Sequence, residues 1–277
     1  MPKGIFLSQE KYISDLLRRF HLHTVKPVRT SLPSRTTLSL TDGELLADGT
    51  EYRSMVGALQ YFTLTRPDIT YVVHLESQFM HAPRTTYLIA IKRIYRYLQG
   101  TITEGLWLRK GGNPSLIIAY SDVVWTGCPD SCRFTTSYVI FLGGNLVSWR
   151  SKKQPTVSKS STEAEYRAVA YTVQDTLFIR SLLADMGFFI PQPVQLYCDN
   201  VSTSYLVVNP IQHDRSKHIK IDYHFVRKRV AHGDLVVKYI PTQFQLADIF
   251  TKILTSQRFN FLKSNLRVVP SAHIERV

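Results

Sequence analysis

The stretch Leu116-Ile117-Ile118-Ala119-Tyr120-Ser121-Asp122 constrains this chain more than any other. An apolar run of that length ends in a carboxylate, and the turn-like Thr126-Gly127-Cys128-Pro129 comes next. The pattern predicts a buried strand that delivers Asp122 to the edge of a sheet. Three later segments set acids against apolar stretches in the same way: Ser160-Ser161-Thr162-Glu163-Ala164-Glu165-Tyr166, Val194-Gln195-Leu196-Tyr197-Cys198-Asp199-Asn200 and Gln245-Leu246-Ala247-Asp248-Ile249. One acid at a strand end is ordinary, but four such placements point to a metal site. Taken singly, each acid also has a structural reading. Glu163 and Glu165 suit the first turn of a helix, Asp199 a helix N-cap and Asp248 an exposed surface.

Around these acids the periodicity predicts an α/β sheet domain. Strands are expected at 116–122, 135–142 and 146–151, the last two joined by a hairpin turn at Gly143-Gly144-Asn145. A long helix at 160–186 comes after them, capped by Ser160, Ser161 or Thr162. Beyond it come a strand at 194–198, a helix at 200–208, a basic helix at 217–231, a strand at 235–240 and a short helix at 245–252. Trp125 and Trp149 are expected to be buried in the sheet.

The part before the Gly111-Gly112-Asn113-Pro114 linker reads differently. A short strand-like piece at 4–7 precedes a helix with Tyr12, Ile13, Leu16, Leu17 and Phe20 at helical spacing. An irregular connector covers 25–50. Further helices are expected at 51–65, after Asp68, and from Pro83 to a stop at Gly100. No acid cluster or phosphate-cradling glycine loop occurs here. Residues 255–277 read as a tail.

A net charge of +13 and a pI near 9.7 make a polyanion the default partner. Cys128, Cys132 and Cys198 fit neither a zinc spacing nor a disulfide framework, which points to a reducing compartment. No apolar run is long enough to span a membrane, and Met1–Leu7 lacks a signal-peptide core, so a cytoplasmic or nuclear, non-secreted protein is expected.

Gly4-Ile5-Phe6-Leu7-Ser8-Gln9-Glu10-Lys11-Tyr12, Tyr52-Arg53-Ser54-Met55-Val56-Gly57-Ala58-Leu59, Thr65-Arg66-Pro67-Asp68-Ile69 and Arg93-Ile94-Tyr95-Arg96-Tyr97-Leu98-Gln99-Gly100 resemble the thumb and connection region of copia-type LTR-retrotransposon reverse transcriptases. Tyr120-Ser121-Asp122, Val147 to Gln154, Ser160 to Tyr166, Tyr197 to Asn200, Lys217-His218-Ile219 and Ala247 to Lys252 are similar to the ribonuclease H domain of the same retroelements. The blocks stand in family order along nearly the whole chain.

The resemblance implies a Pol polyprotein fragment with a thumb/connection-like helical region at 1–110, a ribonuclease H-like domain at 111–254 and the tail beyond. The fold implied is a mixed five-stranded sheet with flanking helices. The palm of the polymerase, absent from these residues, and an integrase belong to an intact element, so no polymerase activity is expected of this stretch. Asp122, Glu165, Asp199 and Asp248 would be the catalytic carboxylates and the ligands of two Mg²⁺ ions, with Mn²⁺ as a substitute. Glu163 would be the capping acid. Two such ions, roughly 4 Å apart, activate water and neutralise the leaving oxygen in phosphodiester hydrolysis.

The implied substrate is an RNA–DNA hybrid, read by its 2′-hydroxyls and wide minor groove. Phosphate contacts would come from Lys152, Lys153, Lys159, Arg215, Lys217, Lys220, Arg227, Lys228 and Arg229. The sequence also departs from the family pattern. Val124 replaces an acid, Thr135-Thr136-Ser137-Tyr138 lacks a glycine, and Ile253 replaces a proline. A residue deleted within a strand would flip the faces of all later residues in that strand. Those departures give the alternative of a catalytically inactive, nucleic-acid-binding remnant.

Overall fold

The computed structural model describes residues 4–33, 36, 38–125, 133–208 and 220–273. They form two compact units, one built from 4–110 together with 252–273, the other from 111–125 and 133–251.

In the first unit, strand β1 (Gly4–Leu7) leads into helix α1 (Glu10–Arg19), and after a connector come α2 (Thr50–Phe62), α3 (Thr70–Ser77) and α4 (Thr85–Gln99). Apolar residues at helical spacing, Ile13, Leu16 and Leu17 on α1 and Ile91, Ile94 and Leu98 on α4, are all buried. Each contributes roughly 1.5–3 kcal/mol of burial. Strand β2 (Glu104–Arg109) pairs antiparallel with β1, Gly4 opposite Arg109 and Leu7 opposite Leu106.

The stretch expected to be a tail is instead folded into this unit. Helix α8 (Ser256–Asn265) buries Phe259 and Leu262, and strand β8 (Val268–Pro270) pairs with β2 through Leu106↔Val268 and Glu104↔Pro270. Lys263 donates to both Glu104 oxygens at 2.9 Å. Beside it lies Arg66, 1% exposed, with a two-pronged contact to Asp68 (2.8 and 2.8 Å) and a further one to the Thr101 carbonyl at 3.0 Å. The Tyr97 hydroxyl donates to the same Asp68 at 2.6 Å.

The second unit is organised by a five-stranded sheet in the order β5-β4-β3-β6-β7. Its strands are β3 (Ile117–Trp125), β4 (Phe134–Leu142), β5 (Asn145–Lys153), β6 (Val194–Cys198) and β7 (Leu235–Tyr239). β3, β4 and β5 run antiparallel, while β6 and β7 join parallel. The β4–β5 hairpin closes on Gly143 and Gly144, both at positive φ (58° and 82°), where a side chain would be strained. Helices α5 (Ser161–Asp185), α6 (Val201–Val208) and α7 (Lys220–Ala231) flank the sheet. Tyr166, Val169 and Val173 of α5 pack with Ala119, Ile140 and Leu196 of the sheet in one buried cluster. This is the mixed five-stranded α/β sheet with flanking helices expected of a ribonuclease H-like domain.

Three local expectations are corrected. β3 pairs with β4 without interruption from Trp125↔Phe134 to Ile117↔Leu142, so the faces of β4 are not flipped and no deletion has to be absorbed there. The register shift in β4–β5 lies further on, between Ile140 and Phe141. The short helix expected at 245–252 is a 3-10 turn, Leu246–Phe250, because side chains of the sheet hold it in place of helical continuation. Trp125 is 57% exposed, not buried, at the frayed end of β3.

Candidate metal centre

Three carboxylates from three separate elements meet at one end of the sheet. β3 and β6 run parallel with Tyr120 level with Tyr197, so Asp122 and Asp199 lie two residues further on, side by side at the carboxyl end of this strand pair. Open α/β sheets bind ligands at that end. Glu165 arrives from α5, whose Ala164 and Ala168 pack on Val123 of β3. Asp122, Glu165 and Asp199 each offer an oxygen within 4.8 Å of the others. Asp122 and Glu165 are buried, and Asp199 is half-buried.

The structural readings of the acids now separate. Glu163 is the capping residue: Ser160 Oγ accepts from the Glu163 N–H at 3.2 Å, and Glu163 accepts from the Lys159 N–H at 2.9 Å. Glu163 also pairs with Arg167 at 2.8 Å. The cap of α6 is Asn200, whose Oδ1 accepts from the Thr203 N–H at 2.9 Å, which removes that role from Asp199. Asp248 is 4% exposed and so is no surface acid. It sits on the 3-10 turn against β3 and β4, outside the group of three.

That turn is fixed by residues with no acidic signature. Gln245, fully buried, donates to the Ser121 carbonyl at 2.9 Å and accepts from the Ala247 N–H at 3.2 Å. Ser137 Oγ donates to the Ala247 carbonyl at 3.0 Å, and Ser151 Oγ to the Phe250 carbonyl at 2.6 Å. Thr251 Oγ1 donates to Asp122 Oδ2 at 2.5 Å, and Thr242 Oγ1 to Asp199 Oδ2 at 3.0 Å. Sequence reading missed all five. Hydroxyls and an amide at buried positions of otherwise apolar stretches were the available signal.

The donor set suits a hard divalent cation, because it consists of carboxylate oxygens drawn together from separate elements. The neighbouring Cys198 does not add a soft ligand: burial pushes its thiol up to about 11, so it stays protonated.

The basic residues are spread over several elements. Lys152 and Lys153 lie on β5, Lys159 precedes α5, and Lys220, Arg227, Lys228 and Arg229 lie on α7. Arg227 sits over the Tyr223 ring at 5.0 Å, and Arg229 contacts Asp234 at 3.5 Å. Arg215 and Lys217 lie outside the described residues. No described helix is long and apolar enough to cross a membrane.

No protein-family model matches the chain. It is 48% identical over 274 residues to the retrovirus-related Pol polyprotein from transposon RE1 of Arabidopsis thaliana, covering 98% of this chain and 19% of that protein. It is 35% identical over 268 residues to the corresponding polyprotein from transposon TNT 1-94 of Nicotiana tabacum, covering 94% of this chain and 20% of that protein. The chain thus spans about a fifth of the length of these relatives. Among solved structures it is similar to LC11-RNase H1 in complex with RNA/DNA hybrid, at 17% identity and a TM-score of 0.36, covering 47% of this chain and 88% of that one. With its sequence matched almost from end to end by these polyproteins, the chain belongs to the family of Pol polyproteins of copia-type retrotransposons.

Proposed function

We propose that the second unit is a ribonuclease H that hydrolyses the RNA strand of RNA–DNA hybrids with two Mg²⁺ ions, or Mn²⁺ in their place, as part of a copia-type Pol polyprotein. The observation that carries the reading is the convergence of Asp122, Glu165 and Asp199 at the carboxyl ends of β3 and β6. Asp122, Glu165 and Asp199 would hold one ion, and Asp122 with Asp248 the other. The chemistry that bound magnesium supplies is an activated water and neutralisation of charge on the leaving oxygen.

The chain's own residues set the stage for that chemistry. Thr251 and Thr242 fix the rotamers of Asp122 and Asp199, so their oxygens need no reorganisation when the site fills. Gln245, Ser137 and Ser151 anchor the turn that carries Asp248. Lys152, Lys153, Lys159, Lys220, Arg227 and Lys228 supply sequence-independent phosphate contacts, with Arg215 and Lys217 proposed from sequence alone.

The test is cleavage of an end-labelled RNA–DNA hybrid in Mg²⁺ by the parent chain and by Asp122→Asn. Cutting by the parent alone establishes a working centre. A parent that binds hybrid without cutting it is a nucleic-acid-binding remnant, and the proposal fails.

A further inference from the structure

The sheet face turned away from Asp122 carries a second concave site. Across β3, β4 and β5, Asp122, Ser137 and Ser151 stand in one row, so Thr136, Arg150 and Lys152 point to the opposite face, the one covered by α5. There a cavity of about 310 Å³ opens, lined among others by Arg133, Arg150, Lys152, Lys153, Pro155 and Tyr171. Among the described residues no carboxylate lines it. The nearest acids of α5 are committed elsewhere, Glu163 to Arg167 and Asp175 to the Tyr138 hydroxyl.

The cavity is preformed. Its floor is Gln154, 1% exposed, which donates to Thr136 Oγ1 at 2.9 Å and to the Ala164 carbonyl at 3.0 Å, and accepts from Ser158 at 2.9 Å. Its rim is braced by Arg133, which donates to the Pro155 carbonyl at 3.2 Å. Four converging cations repel one another, and a bound anion relieves that repulsion. The walls, a proline ring, a tyrosine ring and the aliphatic stems of the cations, are apolar and suit a planar base. A cavity of this volume lies at the small end of the ligand-site range, the size for one nucleotide rather than a duplex.

We propose that this cavity holds one nucleotide unit of a single-stranded nucleic acid, its base against Tyr171 and Pro155 and its phosphate on Arg150 and the neighbouring cations. The guanidinium supplies the paired donors that phosphate geometry favours. Because the site lies on the sheet face opposite the Asp122 carboxylate, the strand it takes is not one being cut, and its binding does not depend on the ribonuclease reading.

The experiment is fluorescence anisotropy of a labelled oligothymidylate with the full chain in EDTA, which silences metal chemistry. Arg150→Glu and Tyr171→Ala are compared with the parent, and an abasic oligonucleotide and dTMP serve as competitors. Each variant is expected to weaken binding about 10-fold or more, as loss of one stacked base or one phosphate contact implies. Arg150→Ala should also reduce the salt slope by about 0.7. The abasic strand should compete poorly against the parent. Photo-crosslinking of a 5-iododeoxyuridine strand to the parent should mark the peptide that contains Tyr171, a readout free of any folding defect in the variants. Unchanged affinity in both variants, or crosslinks confined to other peptides, overturns the proposal. So does an abasic strand that competes as well as oligothymidylate, which signals backbone contacts alone. Displacement by dTMP as efficient as by the oligonucleotide assigns the cavity to free nucleotides and overturns the strand.

Discussion

Replacing Thr251 by valine removes one hydroxyl from beneath the metal centre and leaves the shape of the side chain nearly unchanged. Thr251 and Asp122 are each 1% exposed, so no solvent can substitute for the bond from Thr251 Oγ1 to Asp122 Oδ2. A hydrogen bond to a charged group is worth about 1.5–3 kcal/mol, and each 1.4 kcal/mol is tenfold in an equilibrium constant. Thr251→Val should therefore weaken Mg²⁺ binding about 10- to 100-fold, the range found when an outer-shell partner of a metal ligand is lost. Calorimetric titration of Mg²⁺ into the nucleic-acid-free chain measures this directly, and Thr251→Ser should stay close to the parent. Hybrid cleavage by the valine variant should recover at high Mg²⁺. If the valine variant binds Mg²⁺ like the parent, or the serine variant fails as badly as valine, the hydroxyl does not position Asp122 and the reasoning is wrong.

Three further outcomes are expected. Burial pushes Glu76 from an ordinary 4.5 up to about 8, against the bond from Tyr52 that pulls it down, so the folded chain keeps a proton that the unfolded chain loses. Stability should be greatest below the ordinary carboxylate range and should fall as pH rises toward 8, at about 1.4 kcal/mol per pH unit. Thermal melts of Glu76→Gln should lack that fall, and identical pH profiles for parent and variant would refute it. Arg66→Met strands the buried Asp68 carboxylate and should cost about 3–5 kcal/mol in urea unfolding, while Arg66→Met with Asp68→Asn should recover part of the loss. Hybrid affinity should fall steeply with salt, and Lys228→Ala should reduce the slope by about 1; an unchanged slope would place Lys228 outside the interface.

The second unit was largely legible from the sequence because its signals are local. An apolar strand ending in Asp122, a serine cap before α5 and a Gly-Gly turn each declare themselves within a few residues. Asp122, Glu165 and Asp199 could be nominated because acids beside apolar runs stand out. Their hydroxyl partners could not, since Thr251 and Thr242 look like ordinary loop residues until the fold brings them beside Asp122 and Asp199. The clearest miss was the end of the chain. β8 is three residues long, and its partner β2 lies more than 150 positions away in sequence, so no local window contains the reason that it is a strand.

The pairing of β8 with β2 also sets an order of events on the ribosome. The first unit needs α8 and β8, which are synthesised after every residue of the second unit. The nuclease-like sheet can therefore close while the helical unit still lacks one edge strand, with the exposed side of β2 waiting for its partner. A nascent chain halted near residue 254 would carry a finished metal centre and an unfinished neighbour.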